Sequence, residues 1–362
     1  MNKLLLALLL FLLSFSWIKV TASDSCPESF PWKAQWINTE RCQSATNTWL
    51  IYRKSFAVTD VPNQLIARIA ADSKYWLWIN DQLVIFEGGL KRGPSPSGTY
   101  YDPVDIAPYL TKGSNTIAIL LWHFGKDGFS HINSGKAALL FEAIAPGLEI
   151  VSDASWQCAL YEAYQNTEAP FPNYRMPESN IRFDARQAIT NWNRTSFEGS
   201  LPGAVCVGKA GKAPFGDLVE RPIPQWKNSG LLSYVSVRES LRGDTLFCRL
   251  PYNAQITPYL KVEAEAGKTI HIRMDNYEGG SERNVRAEYI TREGEQEYES
   301  YGWMNGHEVY YIIPEGVKVL DVKYRETGYN TDLAGSFHCD DPFYDELWQR
   351  SARTLYITMR DN

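Results

Sequence analysis

Positive charge in excess is missing from this 362-residue chain: Lys and Arg number 36 against 42 Asp and Glu, a formal charge of −6. Without a basic patch there is nothing to hold a phosphate backbone, so nucleic acid is not an expected partner. No two cysteines are spaced Cys-x-x-Cys, which excludes a zinc ribbon and a thioredoxin-type redox site. The five histidines (123, 131, 271, 307, 338) show no His-x-x-x-His spacing and no cysteine at ligand distance in sequence, so neither a metal nor a cofactor is expected. Serine-hydrolase elbows, phosphate loops and dinucleotide fingerprints are also missing. No repeat of fixed period is visible. Beyond the N-terminal leader no apolar run approaches the roughly 20 residues a transmembrane helix needs.

What is present is a globular composition, 44% hydrophobic and 22% charged, which excludes a disordered tail, a collagen-like rod and a coiled coil. Aromatics are abundant: 12 Trp, 21 Tyr and 15 Phe. Broad rigid side chains in this number suit β-sheet proteins and carbohydrate binders, with burial their commoner use. The first segment reads as an export signal. Lys3 gives a positive start, Leu4–Ile18 is apolar almost throughout, and Val20-Thr21-Ala22 offers a peptidase site, so residues 1–22 are expected to be removed. The expected location is periplasmic or extracellular. Ser23-Asp24-Ser25 before Cys26 is too polar for a lipoprotein signal. Export permits disulfides. Cys26, Cys42, Cys158, Cys206, Cys248 and Cys339 allow fifteen pairings that sequence does not choose among. Cys26–Cys42 is the first to test, and buried thiols are the plainer alternative.

Short-period alternation dominates the rest. Leu50–Phe56, Leu65–Ala71 and Tyr75–Ile79 read as strands, Asn80-Asp81 as a tight turn, and Leu83–Phe86 as the returning strand. Asn115–Phe124 is a long apolar strand, buried on both faces for part of its length, and Ala137–Ala143 follows. Strands at about ten-residue spacing indicate a β-sandwich or jelly roll over 27–197. Residues 198–230 are rich in Gly and Pro and read as an extended connector. The β pattern then resumes in a second antiparallel sandwich over 231–336. Residues 337–362 switch to a helical period. Asp341 is a good N-cap, Pro342 suits the first helical position, and Phe343, Leu347, Ala352, Leu355 and Met359 form an apolar stripe. That stripe fits either the start of a further domain or a terminal lid on a sheet. The expected fold is thus mostly β: two antiparallel, jelly-roll-like β-sandwiches followed by one α-helix.

Three stretches carry a family resemblance. Ala70-Ala71-Asp72-Ser73-Lys74-Tyr75-Trp76-Leu77-Trp78-Ile79-Asn80, with Tyr101-Asp102-Pro103-Val104-Asp105 and Trp122-His123-Phe124-Gly125, resembles the N-terminal β-sandwich of bacterial α-L-rhamnosidases of glycoside hydrolase family 78. Gly302-Trp303-Met304-Asn305-Gly306-His307-Glu308-Val309, followed by Lys323-Tyr324-Arg325-Glu326-Thr327-Gly328-Tyr329, is similar to the sandwich that precedes their catalytic barrel. Gly335–Phe343 through Thr354–Asp361 looks like the first helix of that (α/α)6 barrel. The resemblance covers nearly all of the chain after the leader. It implies a parent enzyme that removes terminal α-L-rhamnose from glycans by inversion, with two carboxyl groups flanking a water. Those carboxyls belong to a barrel that would follow Asn362, so no catalytic residue is assigned here. The expectation is an exported, truncated, non-catalytic accessory region, inactive alone, whose partners are the missing barrel and, through the parent enzyme, a rhamnose-containing glycan. A free-standing carbohydrate-binding protein of the envelope is the alternative.

Read for chemistry on their own, the residues offer a few candidates. Trp76 and Trp78 share one face of their strand and could form a sugar platform or pack beneath a neighbour. Trp303 lies in a loop-like stretch, where aromatics meet ligands more often, or it faces the absent barrel. Glu293, Glu295, Glu297 and Glu299 alternate, which puts them on one strand face and reads as a solvated surface. Asp275, Glu278 and Glu282 around Gly279-Gly280 have oxygen ligands for Ca²⁺ without the dense Asp/Asn alternation of a calcium loop. Asn193-Arg194-Thr195 is an N-glycosylation sequon, meaningful in a glycosylating host.

Overall fold

Alternating side chains along the strands build three hydrogen-bonded sheets. The computed structural model describes residues 31–89, 98–128, 131–167, 181–277 and 285–359. Lys33–Asn362 forms one compact unit, and of the preceding unit only Pro31 and Trp32 are described. The export signal, Cys26, Glu278, Glu282 and residues 360–362 lie outside the described residues.

The first sheet has seven strands: β1 (Gln35–Asn38), β3 (Ile66–Asp72), β6 (Thr99–Asp105), β8 (Ala138–Ala145), β9 (Leu148–Val151), β13 (Val205–Lys209) and β14 (Leu218–Glu220). The second has five: β2 (Thr48–Val58), β4 (Lys74–Ile79), β5 (Gln82–Gly89), β7 (Gly113–His123) and β10 (Gln157–Leu160). Alternation decides what each face of the second sheet meets. Leu50, Tyr52, Tyr75, Leu77, Ile119 and Leu121 join one core with Ile37, Ile69, Leu139 and Phe141 of the first sheet. Trp49, Ile51, Trp76, Trp78, Leu120 and Trp122 point the other way, into a core shared with the third sheet. Both faces are therefore buried, which is why β7 reads as a nearly unbroken apolar run.

The third sheet has nine strands: β11 (Tyr164–Asn166), β12 (Ile181–Asp184), β15 (Ser236–Glu239), β16 (Thr245–Ala264), β17 (Thr269–Met274), β18 (Ala287–Ile290), β19 (Gly294–Glu299), β20 (Met304–Ile312) and β21 (Val317–Glu326). The 20-residue β16 holds it together. Its first part, Thr245–Arg249, lies between β15 and β20; its last part, Ile256–Ala264, pairs with β19 and β21. Its register with β20 shifts between Arg249 and Ala254, across Pro251, which has no N–H to give a ladder. One strand thus changes neighbours along its length. Tyr289 of β18 stacks on Tyr298 of β19 at 4.7 Å, and the Tyr311 hydroxyl donates to Tyr259 O at 3.0 Å.

Two features depart from the sequence-based boundaries. The stretch 198–230 is not purely a connector: β13 pairs antiparallel with β1, and β14 pairs parallel with β6. Gly208 in β13 leaves room for Phe215, which stacks on Trp36 at 4.0 Å; a Cβ there would sit 3.3 Å from that ring. Short edge strands bond on one side only, so Gly and Pro around them are tolerated. Likewise β11 and β12, within 27–197, belong to the third sheet, with β12 parallel to β18. Pairing is antiparallel in the other ladders between described strands.

The C-terminal helix α1 (Pro342–Thr358) begins as its sequence dictates: Asp341 is the N-cap, its carboxylate accepts from Phe343 N–H at 3.0 Å, and Pro342 is in the first turn. The helix has no buried residue. The five described cysteines are free thiols, and burial raises the Cys158 and Cys248 thiols, Cys248 to about 12.

Candidate functional site

A cleft of about 430 Å³ opens where the second and third sheets meet. One wall is local in origin. Asn80 and Asp81 take positive φ (47° and 71°), the backbone of a two-residue turn that reverses β4 into β5. The Asp81 carboxylate accepts from the Thr195 N–H (2.5 Å) and hydroxyl (3.0 Å), tying the 191–195 turn to the hairpin. Arg53 supports that turn from below, donating to Trp192 O (2.6 Å) and Arg194 O (2.8 Å). Burial lowers its pKa, opposed by the Asp81 charge. Trp192 meets Trp78 edge to face at 5.4 Å.

The other wall comes from β16, β19 and β21. Arg325 grips Glu299 with two hydrogen bonds (2.9 and 3.0 Å), and Thr257 donates to the same carboxylate at 2.7 Å. Burial disfavours the Arg325 charge, but its bonds to Glu299 outweigh that and raise its pKa. Asn228 takes a third donor of Arg325 at 2.7 Å, and the guanidinium lies 5.0 Å over Phe86. Tyr259 donates to Glu297 at 2.8 Å. Burial, then the Glu297 hydrogen bond, raises the Tyr259 hydroxyl. The carboxylates face unequal conditions: Glu299 is saturated by Arg325 and Thr257, whereas Glu297 is exposed. Both carboxylates line the cleft.

The singled-out tryptophans separate. Trp78 lines the cleft, 7% exposed. Trp76 is 0% exposed and stacks with Trp49 (5.9 Å) and Tyr301 (4.8 Å), so it offers no face to a sugar and acts as core. The cause is the third sheet, which covers this face of β4. Trp303, before β20, is also buried and outside the cleft. The alternating glutamates divide: Glu295 pairs with Lys261 at 2.6 Å, Glu297 and Glu299 line the cleft, and Glu299 is an ion-paired wall residue rather than solvated surface. Asp275 accepts from the His307 and Glu308 amides (2.8 and 3.2 Å) and so serves the backbone of β20. The sequence reading missed Asp81, Trp192, Tyr259 and Arg325. The Asn80-Asp81 turn was visible, but nothing local joins it to residue 195.

No protein-family model matches the chain, and no curated protein matches it in sequence. Solved structures do. A family GH78 rhamnosidase of Bacillus sp. GL1 superposes with a TM-score of 0.78 at 17% identity, over 92% of this chain and 59% of its own. The α-L-rhamnosidase from Dictyoglomus thermophilum gives 0.65 at 20% identity, over 88% of this chain and 38% of its own. That from Aspergillus terreus gives 0.64 at 20%, over 87% and 38%. The chain therefore spans between about two fifths and three fifths of these enzymes, and its mostly β fold with a C-terminal helix is the fold of part of the GH78 α-L-rhamnosidases.

Proposed function

We propose that this chain is the exported, non-catalytic N-terminal β region of an α-L-rhamnosidase, and that it carries and orients a catalytic (α/α)6 barrel. The observation that carries the reading is the last helix. Phe343 (62% exposed), Leu347 and Leu355 lie bare on α1, with Phe337 exposed just before it. A helix that leaves these apolar side chains bare is suited to meet another element. The incomplete coverage of the solved rhamnosidases supports the same reading. In such an assembly the rhamnose-containing glycan is the substrate of the barrel. The β sheets supply a rigid base, and their own carboxylates at the cleft are engaged in structure or recognition. The test is hydrolysis of an aryl α-L-rhamnoside by the purified chain, followed by the same assay on a longer product that includes the coding sequence downstream of Asn362. Inertness of the chain with turnover by the longer product is expected. Turnover by the chain alone would overturn the accessory role.

A further inference from the structure

We propose that the cleft between the second and third sheets is a binding site for one residue of a neutral saccharide. The inference goes beyond the accessory role and does not rest on it. Five observations converge. The volume, about 430 Å³, lies within the range of small-molecule sites. Its lining is aromatic: Trp78, Trp192, Tyr161, Tyr259 and Tyr301 all contribute. The apolar C–H face of a pyranose packs on such rings, and the half-buried Tyr259 and Tyr301 are the more accessible of them.

The polar groups at the opening have unused hydrogen-bonding capacity. The half-buried Asn193 side chain makes no hydrogen bond to the described protein, leaving an amide donor and a carbonyl acceptor in the cleft. Tyr259 occupies one oxygen of Glu297 and leaves the other to accept. Arg194 spends one nitrogen on a long contact to Asp81 O (3.4 Å) and keeps further donors. A sugar hydroxyl both donates and accepts, so a rim with donors and acceptors side by side suits it.

Charge selects the neutral class. Arg325 and Glu299 cancel as a bidentate pair. Asp81, Glu297 and Arg194 remain, one net negative charge, which disfavours a uronate or sulfated sugar. The site is also pre-formed. The Asp81–Thr195 and Arg53–Trp192 bonds fix one wall and the Arg325–Glu299 pair fixes the other, so little ordering opposes binding.

The experiment titrates the chain with L-rhamnose, D-glucose, D-galactose and D-glucuronate, following intrinsic tryptophan fluorescence and calorimetric heat. Saturable binding of at least one neutral sugar is expected, with glucuronate weaker. Glu297→Gln and Asn193→Ala, both on the rim and away from the core, should each weaken it by about tenfold, the loss of one hydrogen bond to a charged or desolvated group. Arg238→Ala, an exposed change on the distant β15, should leave it unchanged. Three results would overturn the proposal: no saturable binding of any neutral sugar, binding unaffected by both rim variants, or preference for glucuronate. None of them bears on whether the chain hydrolyses a rhamnoside, so this inference and the accessory role fail separately.

Discussion

Individual side chains in this protein are set by what they are forced to sit beside. The end of the first two sheets holds a buried polar cluster. Asp72 accepts from the Ser73 hydroxyl (3.0 Å) and the Ser134 N–H (2.6 Å) and lies 3.3 Å from His123 Nδ1; the Ser73 hydroxyl lies 3.3 Å from His131 Nε2. Burial disfavours the Asp72 charge, but hydrogen bonds from His123 and Ser134 win and its pKa falls below the usual carboxylate value. His131 is 1% exposed, and burial lowers its pKa to about 4, with Lys74 and His123 pushing the same way and Asp72 and Asp127 opposing. The unfolded chain, with its ordinary value near 6.5, therefore takes a proton first as pH falls. Stability from neutral, buried His131 is complete above pH 6.5 and is lost progressively down to about pH 4. At most about 3 kcal/mol is involved. The Asp72 contribution is lost only at more acidic pH, so the two effects separate. Urea midpoints at pH 7, 5.5 and 4.5 should fall more steeply for the natural chain than for His131→Gln; parallel slopes would exclude the effect. At the cleft, residue-scale reading of the sequence was partial. Alternation put Glu297 and Glu299 on one face correctly, but the difference between them is made by Arg325, 26 positions further on than Glu299.

Elements whose signals are local were legible; elements defined by distant partners were not. Helix α1 announces itself through Asp341, Pro342 and a helical period, and β7 through its unbroken apolar run. By contrast, β13 and β14 sit in a Gly/Pro-rich stretch, and only pairing with β1 and β6 makes them strands. The helix also docks by residues its apolar stripe did not indicate. Arg353 lies 3.8 Å over the Tyr252 ring and donates to Glu326 (2.8 Å) and Asn253 O (3.1 Å). Tyr356 donates to Tyr329 O at 3.1 Å and fills the space that Gly328 leaves by lacking a Cβ, which would come 2.4 Å from its hydroxyl. Gln255 adds a bond to Ile357 O. Arg353→Ala removes a charge-assisted hydrogen bond and a cation–π contact together, so the helix should loosen by about 1–3 kcal/mol. Amide exchange should quicken over 345–357 while β16 and β20 stay protected. Unchanged exchange in α1 would mean that other contacts hold it.

On the scale of the molecule, two kinds of apolar surface have different fates. The tryptophan-rich face of the second sheet is covered by the third, where Trp49, Trp76, Trp122, Tyr164 and Tyr301 pack ring against ring. Aromatic pairs of this kind add about 0.5–1.5 kcal/mol each beyond burial, so that junction is rigid and the cleft at its edge keeps its shape. Part of the apolar surface of α1 has no such cover. Phe343, Leu347 and Leu355, with Phe337 beside them, are each between 46% and 62% exposed. In water these side chains lower their free energy by meeting another apolar surface, and a second copy supplies one when no barrel does. The isolated chain should therefore self-associate with rising concentration through α1. Leu347→Glu with Leu355→Glu should shift sedimentation to monomer without changing the far-ultraviolet spectrum, because neither side chain is buried and both positions tolerate a helix former. If the natural chain is already monomeric at high concentration, α1 is not the sticky surface its exposure makes it, and the argument that it awaits a barrel loses its physical basis.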